Sequence, residues 1–303
     1  MSSSRGPHGI CVVDKPTAWT SHDVVAKCRG ILGTRKVGHS GTLDPMATGV
    51  LVLGVGTATR LLTFLSGLDK VYEATIRFGT ETDSLDADGD VTVVHDMAPP
   101  LAADVANAAA TLTGDLQQVP PMVSAIKVGG RRLHELARSG IEVERAPRPV
   151  TVHRFEVEQT ADPMTWTATV ECSAGTYVRV LAADLGRALG GGAHLTALRR
   201  SAVGPFTIDE AHRLDDLSEH GAEGALLPPT AITRVIRRCD VDATTAIAVG
   251  HGKVLDRATL GIDLDADGPW AVTGPDGTLL AVYQAHHGDS VKPALVVPAQ
   301  AGG

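Results

Sequence analysis

The chain has little of four things: aromatic residues, cysteine, lysine and long apolar runs. Phe, Trp and Tyr make up 3 % of its 303 residues, which leaves few rings to act as stacking platforms for a flat ligand. Cys11, Cys28, Cys172 and Cys239 are widely spaced and form no Cys-x-x-Cys pair. That spacing argues against a disulfide scaffold and against structural zinc, and apolar runs around two of them point to buried free thiols. No His/Cys/Asp cluster is spaced like a ligand set, so neither a metal nor a redox cofactor is expected. No stretch resembles a membrane span, and residues 1–9 lack the basic-then-apolar pattern of a signal peptide. The expectation is a cytoplasmic protein with no membrane association.

Positive charge is also in short supply. The net charge is -8, which taken alone argues against nucleic acid, because binding to phosphates needs a basic surface. The distribution softens that objection. Residues 1–80 carry nine Lys and Arg against five Asp and Glu, whereas 81–120 carry eight acids and no Lys or Arg. Residues 121–210 are nearly balanced at eleven to ten, and 211–303 have seven basic and twelve acidic groups. An anionic partner should meet the first and third stretches.

What is present is an ordinary globular composition, 43 % hydrophobic and 20 % charged, in a chain long enough for one large domain and a smaller one. Residues 8–14 read as a buried strand stopped by Lys15-Pro16, followed by a helix over about 22–31 with Ser21 as N-cap. Residues 34–49, rich in glycine, read as a long loop with little regular structure, a length uncommon unless functional. Residues 57–66 have helical periodicity. Residues 70–78 alternate, with Tyr72, Ala74, Ile76 and Phe78 on one side, as a half-buried strand does. The acidic run from Glu81 to Asp90 reads as a solvated loop. Helices are expected over 101–112, 132–139 and 178–189, and strands over 122–128, 149–158, 165–173 and 194–208. Short β-like runs at 268–273, 278–284 and 294–297 suggest a small β-rich appendage after a helical linker at 214–229. The pattern predicts an α+β fold with a mixed, largely antiparallel sheet. Its expected division is 1–235 for the main domain and 236–303 for the small one.

Five collinear segments are more specific. They are Asp14-Lys15-Pro16 with Thr20-Ser21-His22-Asp23, KVGHSGTLDPMATG at 36–49, KVYEA at 70–74, QVPPMVSAIK at 118–127 and CSAGTYVR at 172–179. Leu198-Arg199-Arg200 with Gly204 and Phe206 completes the series. In order and spacing the chain resembles, over about 9–210, the bacterial TruB family of pseudouridine synthases, which act on the T-loop of transfer RNA. Ala18, Leu116 and His134 depart from residues usual in that family (glycine, an aromatic and tyrosine). The tail is similar to a reduced form of the PUA-like RNA-binding domain that the family often appends.

The resemblance implies a pseudouridine synthase fold and the conversion of uridine to pseudouridine at position 55. The N1–C1′ bond breaks, the uracil turns while held, and C5 bonds to C1′. No cofactor is implied, and the implied enzyme is a monomer whose partner is the T-arm of transfer RNA. On the residues alone, Asp44 before Pro45 is a turn residue, Arg179 a solvated arginine at a helix start, and Tyr72 and Leu198 core. The resemblance makes Asp44 the catalytic carboxylate, either attacking C1′ or assisting loss of a proton at the 2′ position. It makes Arg179 the ion-pair partner of Asp44. Tyr72 becomes the ring on which the target uracil stacks, and Leu198 an apolar wall of the base pocket. Tyr177 packs behind Arg179 or bonds near Asp44. His39, expected to be exposed, becomes an RNA contact. Lys15, Lys36 and Lys127 are candidates for phosphate contacts or local support. Gly38, Gly41 and Gly49 permit backbone paths that a side chain would block.

Other readings are a related synthase with another RNA target, a transfer-RNA folding factor without catalysis, and a glycosidase on free nucleosides. The absence of a long Lys-rich tail weakens a guide-directed version of the first. The single convincing carboxylate, where glycosidases use a pair, weighs against the last.

Overall fold

The alternation over 70–78 organises the main sheet. A computed structural model of the chain describes residues 6–298 apart from 125, 129, 134, 135, 137, 138, 142, 222 and 223, and without the side chains of Lys127, Val128 and Arg132. In it the alternating segment is strand β4 (Lys70–Phe78), whose even-numbered residues are all buried. Other strands of the main sheet are β1 (Gly9–Lys15), β2 (Val37–Ser40), β3 (Thr48–Val55), β7 (Gly114–Gln118), β10 (Arg148–Gln159), β11 (Thr165–Cys172), β12 (Ala193–Val203), β13 (Phe206–Thr207) and β14 (His212–Arg213). They form a ten-stranded sheet in the order β14-β1-β3-β12-β4-β11-β10-β7, with β2 on β3 and β13 on β12. Among the described residues of this sheet, only the β1–β14 and β3–β12 pairs are parallel. The helices Ala102–Thr111 and Val178–Ala188 pack on this sheet around Tyr72, Ala74, Ile76, Phe78, Trp166 and Leu198.

Two short pairs stand apart from the main sheet: β5 (Thr80–Thr82) with β6 (Val91–Val94), and β8 (Lys127–Val128) with β9 (Arg131–Arg132). The tail holds a second sheet in the order β15-β17-β18-β19-β16, built from Arg237–Asp240, Trp270–Thr273, Leu279–Ala285, Ser290–Val296 and Leu255–Asp256. Ala271, Leu279, Val282 and Leu295 of that sheet share an apolar cluster with Ile10, Val12, Val50 and Val52 of β1 and β3. Burial of that shared apolar surface fixes the tail against the back of the main sheet. The expected α+β class, with its mixed, largely antiparallel sheet and β-rich tail, is what the structure has.

Several local expectations are corrected. The first helix, Ser21–Ile31, is capped by Thr20 and not by Ser21. Thr20 Oγ1 accepts from Asp23 N at 3.1 Å, and Asp23 accepts from Thr20 N at 2.9 Å, closing a capping box. The cap leaves Ser21 free for another contact, since its buried Oγ accepts from Leu43 N and donates to Leu43 O. Residues 34–49 are not a long irregular loop, because Val37–Ser40 pairs with Leu53–Val55 and Val52 of β3 as an edge strand. Glycine at 38 and 41 hid that strand from a propensity argument. The C-terminal helix Ala243–Gly250, capped by Asp242, was not expected among β-like runs. Of the helix expected over 132–139, Leu133 and Leu136 are helical, and the rest falls largely outside the described residues. The turn at Gly129-Gly130 likewise includes an undescribed residue.

Candidate active site

Neighbouring strands with a period of two bring the site together. Tyr72 lies opposite Arg200, and Ala74 opposite Leu198, across β4 and β12. Side chains two residues apart share a face, so Lys70 and Tyr72 of β4 join Leu198 and Arg200 of β12 on one buried patch. The turn after β11 leads through Tyr177 into the helix Val178–Ala188, whose first turn carries Arg179 to the same place. Gly41 to Asp44 closes the opposite wall. Together these residues line a cleft of about 360 Å³ that includes Asp44, Tyr72, Tyr177, Arg179, Leu198 and Arg200.

Asp44 and Arg179 meet as a two-pronged pair. Arg179 Nε donates to Asp44 Oδ2 at 2.9 Å, and Nη2 donates to Oδ1 at 3.1 Å. The guanidinium is 1 % exposed while the Asp44 side chain keeps 33 %. A buried guanidinium needs its remaining N–H groups satisfied. Ser84 O and Val123 O accept from them at 2.6 and 2.8 Å. Asp86, with a side chain 5 % exposed, places Oδ2 3.4 Å from Arg179 Nε. Burial pushes the Asp44 carboxyl above the ordinary carboxylate value, and Asp86 adds to that, while Arg179 and Lys15 pull it back. Arg179 thus holds Asp44 at a fixed angle, and Asp86 shares the same cation.

Asp86 overturns the reading of 81–90 as a solvated loop. Thr82, Ser84 and Asp86 are buried. Thr82 Oγ1 donates to Asp86 O at 2.7 Å, and the loop docks on β12 through Leu195 N donating to Leu85 O at 3.1 Å. The acidic run as a whole gave no signal of which carboxylate turns inward. The decisive partner, Arg179, is distant in sequence.

Tyr72 is 8 % exposed. Its hydroxyl is a hydrogen-bond partner of Arg200, and burial raises its pKa, keeping the phenol protonated. Tyr177 is pinned through its backbone, which accepts from Gln118 Nε2 at 3.2 Å and donates to Gln118 Oε1 at 2.8 Å. Its hydroxyl meets Ser124, and burial raises its pKa too. Leu198 is 6 % exposed and lines the cleft.

The other expected residues lie elsewhere. Lys15 is fully buried and donates to Pro16 O, Trp19 O and Pro45 O at 2.9, 2.6 and 3.2 Å. Its ammonium is saturated by carbonyls, so it braces the backbone beside Asp44 and has no N–H left for a phosphate. Burial, against which Asp44 works, brings its pKa down to about 8. His39 is half-buried where exposure was expected, and its Nδ1 is enclosed without a partner. Burial, with His22 and Arg200 near, pushes its pKa down to about 4, so the ring is neutral at neutral pH. Lys36 is exposed outside the cleft, and the Lys127 side chain lies outside the described residues. Lys70 and Arg200 line the cleft but were given no role on sequence grounds. Lys70 sits two positions before Tyr72, so strand alternation could have flagged it. Among the described residues no group of three or more His, Cys, Asp or Glu gathers as a metal site.

At Gly49 the backbone leaves no room for a side chain. Its φ is +101, and a Cβ would come within 2.2 Å of Arg200 O. Only glycine allows β3 to pass β12 at that distance.

Comparison with known proteins settles the family. The model of the TruB family pseudouridylate synthase (N terminal domain) matches residues 29–178. The tRNA pseudouridylate synthase B C-terminal domain matches 179–240, and the tRNA Pseudouridine synthase II, C terminal, matches 237–298. The chain belongs to the TruB family. The tRNA pseudouridine synthase B of Arthrobacter sp. (strain FB24) is 49 % identical over 300 residues, covering 95 % of this chain and 96 % of that one. The protein of the same name from Nocardia farcinica (strain IFM 10152) is 49 % identical over 292 residues, covering 95 % and 93 %. Among solved structures, a chain of a Cbf5-Nop10-Gar1 complex superposes with a TM-score of 0.73 at 26 % identity, covering 96 % of this chain and 84 % of that one. An archaeal box H/ACA Nop10-Cbf5 complex gives 0.74 at 23 % identity over 97 % and 88 %, a likeness of fold. No helix among the described residues is long and apolar enough to cross a membrane.

Proposed function

We propose that this TruB-family chain isomerises uridine to pseudouridine at position 55 in the T-loop of transfer RNA. The observation that carries the reading is the two-pronged Asp44–Arg179 pair in a cleft walled by Tyr72 and Leu198. Relatives 49 % identical over nearly their whole length carry the name tRNA pseudouridine synthase B.

The chemistry asks for one carboxylate at C1′. Asp44 keeps a third of its side chain open to the cleft while Arg179 fixes both oxygens. An ionised carboxylate with its pKa raised by burial is a better nucleophile or base than a solvated one. Tyr72 and Leu198 offer flat and apolar contacts to a base that must be held and still turn. No redox change occurs, since one C–N bond is exchanged for one C–C bond, the C5 proton is released and N1 takes up a proton.

A paired nucleotide does not expose C1′, so the uridine must leave its stack at a cost of a few kcal/mol. A structured loop with bases already available for stacking suits such an enzyme, with recognition by shape and backbone. His39, with its enclosed and unpartnered ring nitrogen, is a contact for the RNA. The enzyme works as a monomer in the cytoplasm with no protein partner, and its main domain spans 1–235.

The test uses transfer RNA carrying tritium at uridine C5. The wild-type chain releases tritium from a transcript with uridine at position 55 and releases none attributable to that position when cytidine stands there. Equal release from both transcripts contradicts the site assignment. No release from either by the folded protein contradicts the activity.

A further inference from the structure

The cleft carries more positive charge than its carboxylate explains. Its charged lining is Asp44, Lys70, Arg179 and Arg200. Arg179 is matched by Asp44 and Asp86. Lys70 and Arg200 are 6 % and 1 % exposed, and among the described residues neither has a carboxylate within ion-pair distance. Buried cations are normally paired, so two unpaired ones on a cleft wall need an account.

Their protein contacts are incomplete. Lys70 Nζ donates to Ser66 O at 3.0 Å and to Leu68 O. Arg200 donates from Nε to Val50 O at 2.8 Å and from Nη2 to Gly41 O at 2.9 Å, and it meets the Tyr72 hydroxyl. This leaves one ammonium N–H and part of the guanidinium fork without a protein acceptor among the described residues. Burial and Arg200 hold Lys70 down to about 8, with Cys172 and Asp69 working weakly the other way. An anion would relieve that repulsion.

Gly41 marks the open point. Its φ is +78, and a Cβ there would lie 3.5 Å from Arg200 Nη1 and 3.8 Å from Lys70 Cε. Both cations therefore flank one spot that the backbone leaves free of a side chain. We propose that Gly41, Lys70 and Arg200 form a seat for one RNA phosphodiester adjoining the nucleotide that the cleft admits. The proposal rests on the functional reading above. It gives the cleft a second anchor, separate from Asp44, that fixes the sugar of the flipped nucleotide by its backbone. It also explains how a chain of net charge -8 draws a polyanion to this place, since a local field in a low-dielectric cleft outweighs distant charge.

The experiment is a binding cycle with a T-arm stem-loop RNA. One linkage, 5′ or 3′ of the target uridine, is made a neutral methylphosphonate, and Kd is measured in an Asp44→Asn background. With Lys70 present, one of the two linkages loses about tenfold in affinity, the size of a charge-assisted hydrogen bond. Lys70→Met loses a similar factor on unmodified RNA and nothing more on modified RNA, while Lys70→Arg retains the sensitivity. Lys70→Gln serves where Lys70→Met does not show a wild-type thermal transition. Additive losses in the Lys70 variants, or no loss at either linkage, overturn the seat. The wild-type chain is assayed on the unmodified stem-loop in parallel. Turnover there with additive losses defeats the seat alone, and no turnover defeats the functional reading and the seat together.

Discussion

The two sets of cations in the cleft are built in opposite ways. Arg179 is enclosed by two carboxylates and two carbonyls, so its charge is spent inside the protein. Lys70 and Arg200 are also deeply buried, and among the described residues they meet carbonyls and a phenol but no carboxylate. The first arrangement fixes a half-open carboxylate in the cleft. The second holds uncompensated charge where a ligand can reach it. Lys15 repeats the lesson on a smaller scale, as a lysine whose N–H groups are all used by carbonyls and which shapes the backbone beside Asp44.

That contrast can be broken from its neutralised side, where the effects are largest. Arg179→Met leaves Asp86 buried without its cation and frees Asp44. The expected cost is about 3–5 kcal/mol in urea unfolding, with a fall in kcat of at least about 100-fold. Arg179→Lys recovers little of the rate, because an ammonium cannot grip both carboxylate oxygens. A variant with near-wild-type rate would show that the ion pair does not position Asp44.

A smaller effect sharpens the same side. Arg179 and Lys15 pull the Asp44 pKa down, burial and Asp86 push it up, and upward is the net direction. Protonation removes the reactive form, so kcat/KM falls as pH drops through a value above the ordinary carboxylate pKa. Asp86→Asn removes one negative neighbour and shifts that acid limb to lower pH. The pH profiles of the two proteins decide it, and a limb that stays in place or moves up contradicts the shared-cation picture.

The smallest effect is at Ala18, which stands at φ +63 with its N–H on Pro45 O. Left-handed backbone costs an alanine more than a glycine, partly offset by the greater freedom of glycine when unfolded. Ala18→Gly should stabilise by about 0.5 kcal/mol in urea unfolding and leave turnover unchanged. Destabilisation would mean that the turn does not carry the strain its dihedral implies.

Much of the frame was legible because it follows local periodicity. Lys70–Phe78 alternates cleanly, and Val178–Ala188 keeps a helical stripe, so Tyr72 and Arg179 could be set on their elements. Their meeting with Asp44 was legible only through the family resemblance, because no local rule joins residues this far apart. The Gly-rich stretch at 34–49 concealed an edge strand, since pairing with β3 overrides weak propensity. Asp86 looked like its solvated neighbours and is set apart by a tertiary contact with Arg179. For Lys15 the sequence left phosphate contact and local support both open, and its carbonyl cage makes it support.

The most direct measurement is single-turnover formation of pseudouridine by Asp44→Asn, with transfer-RNA binding followed on the same protein. Near-wild-type affinity and no product above background is the predicted result, a loss of at least about 10³-fold. Product formed at a rate close to wild type would contradict the assignment of Asp44 as the group that acts on the sugar.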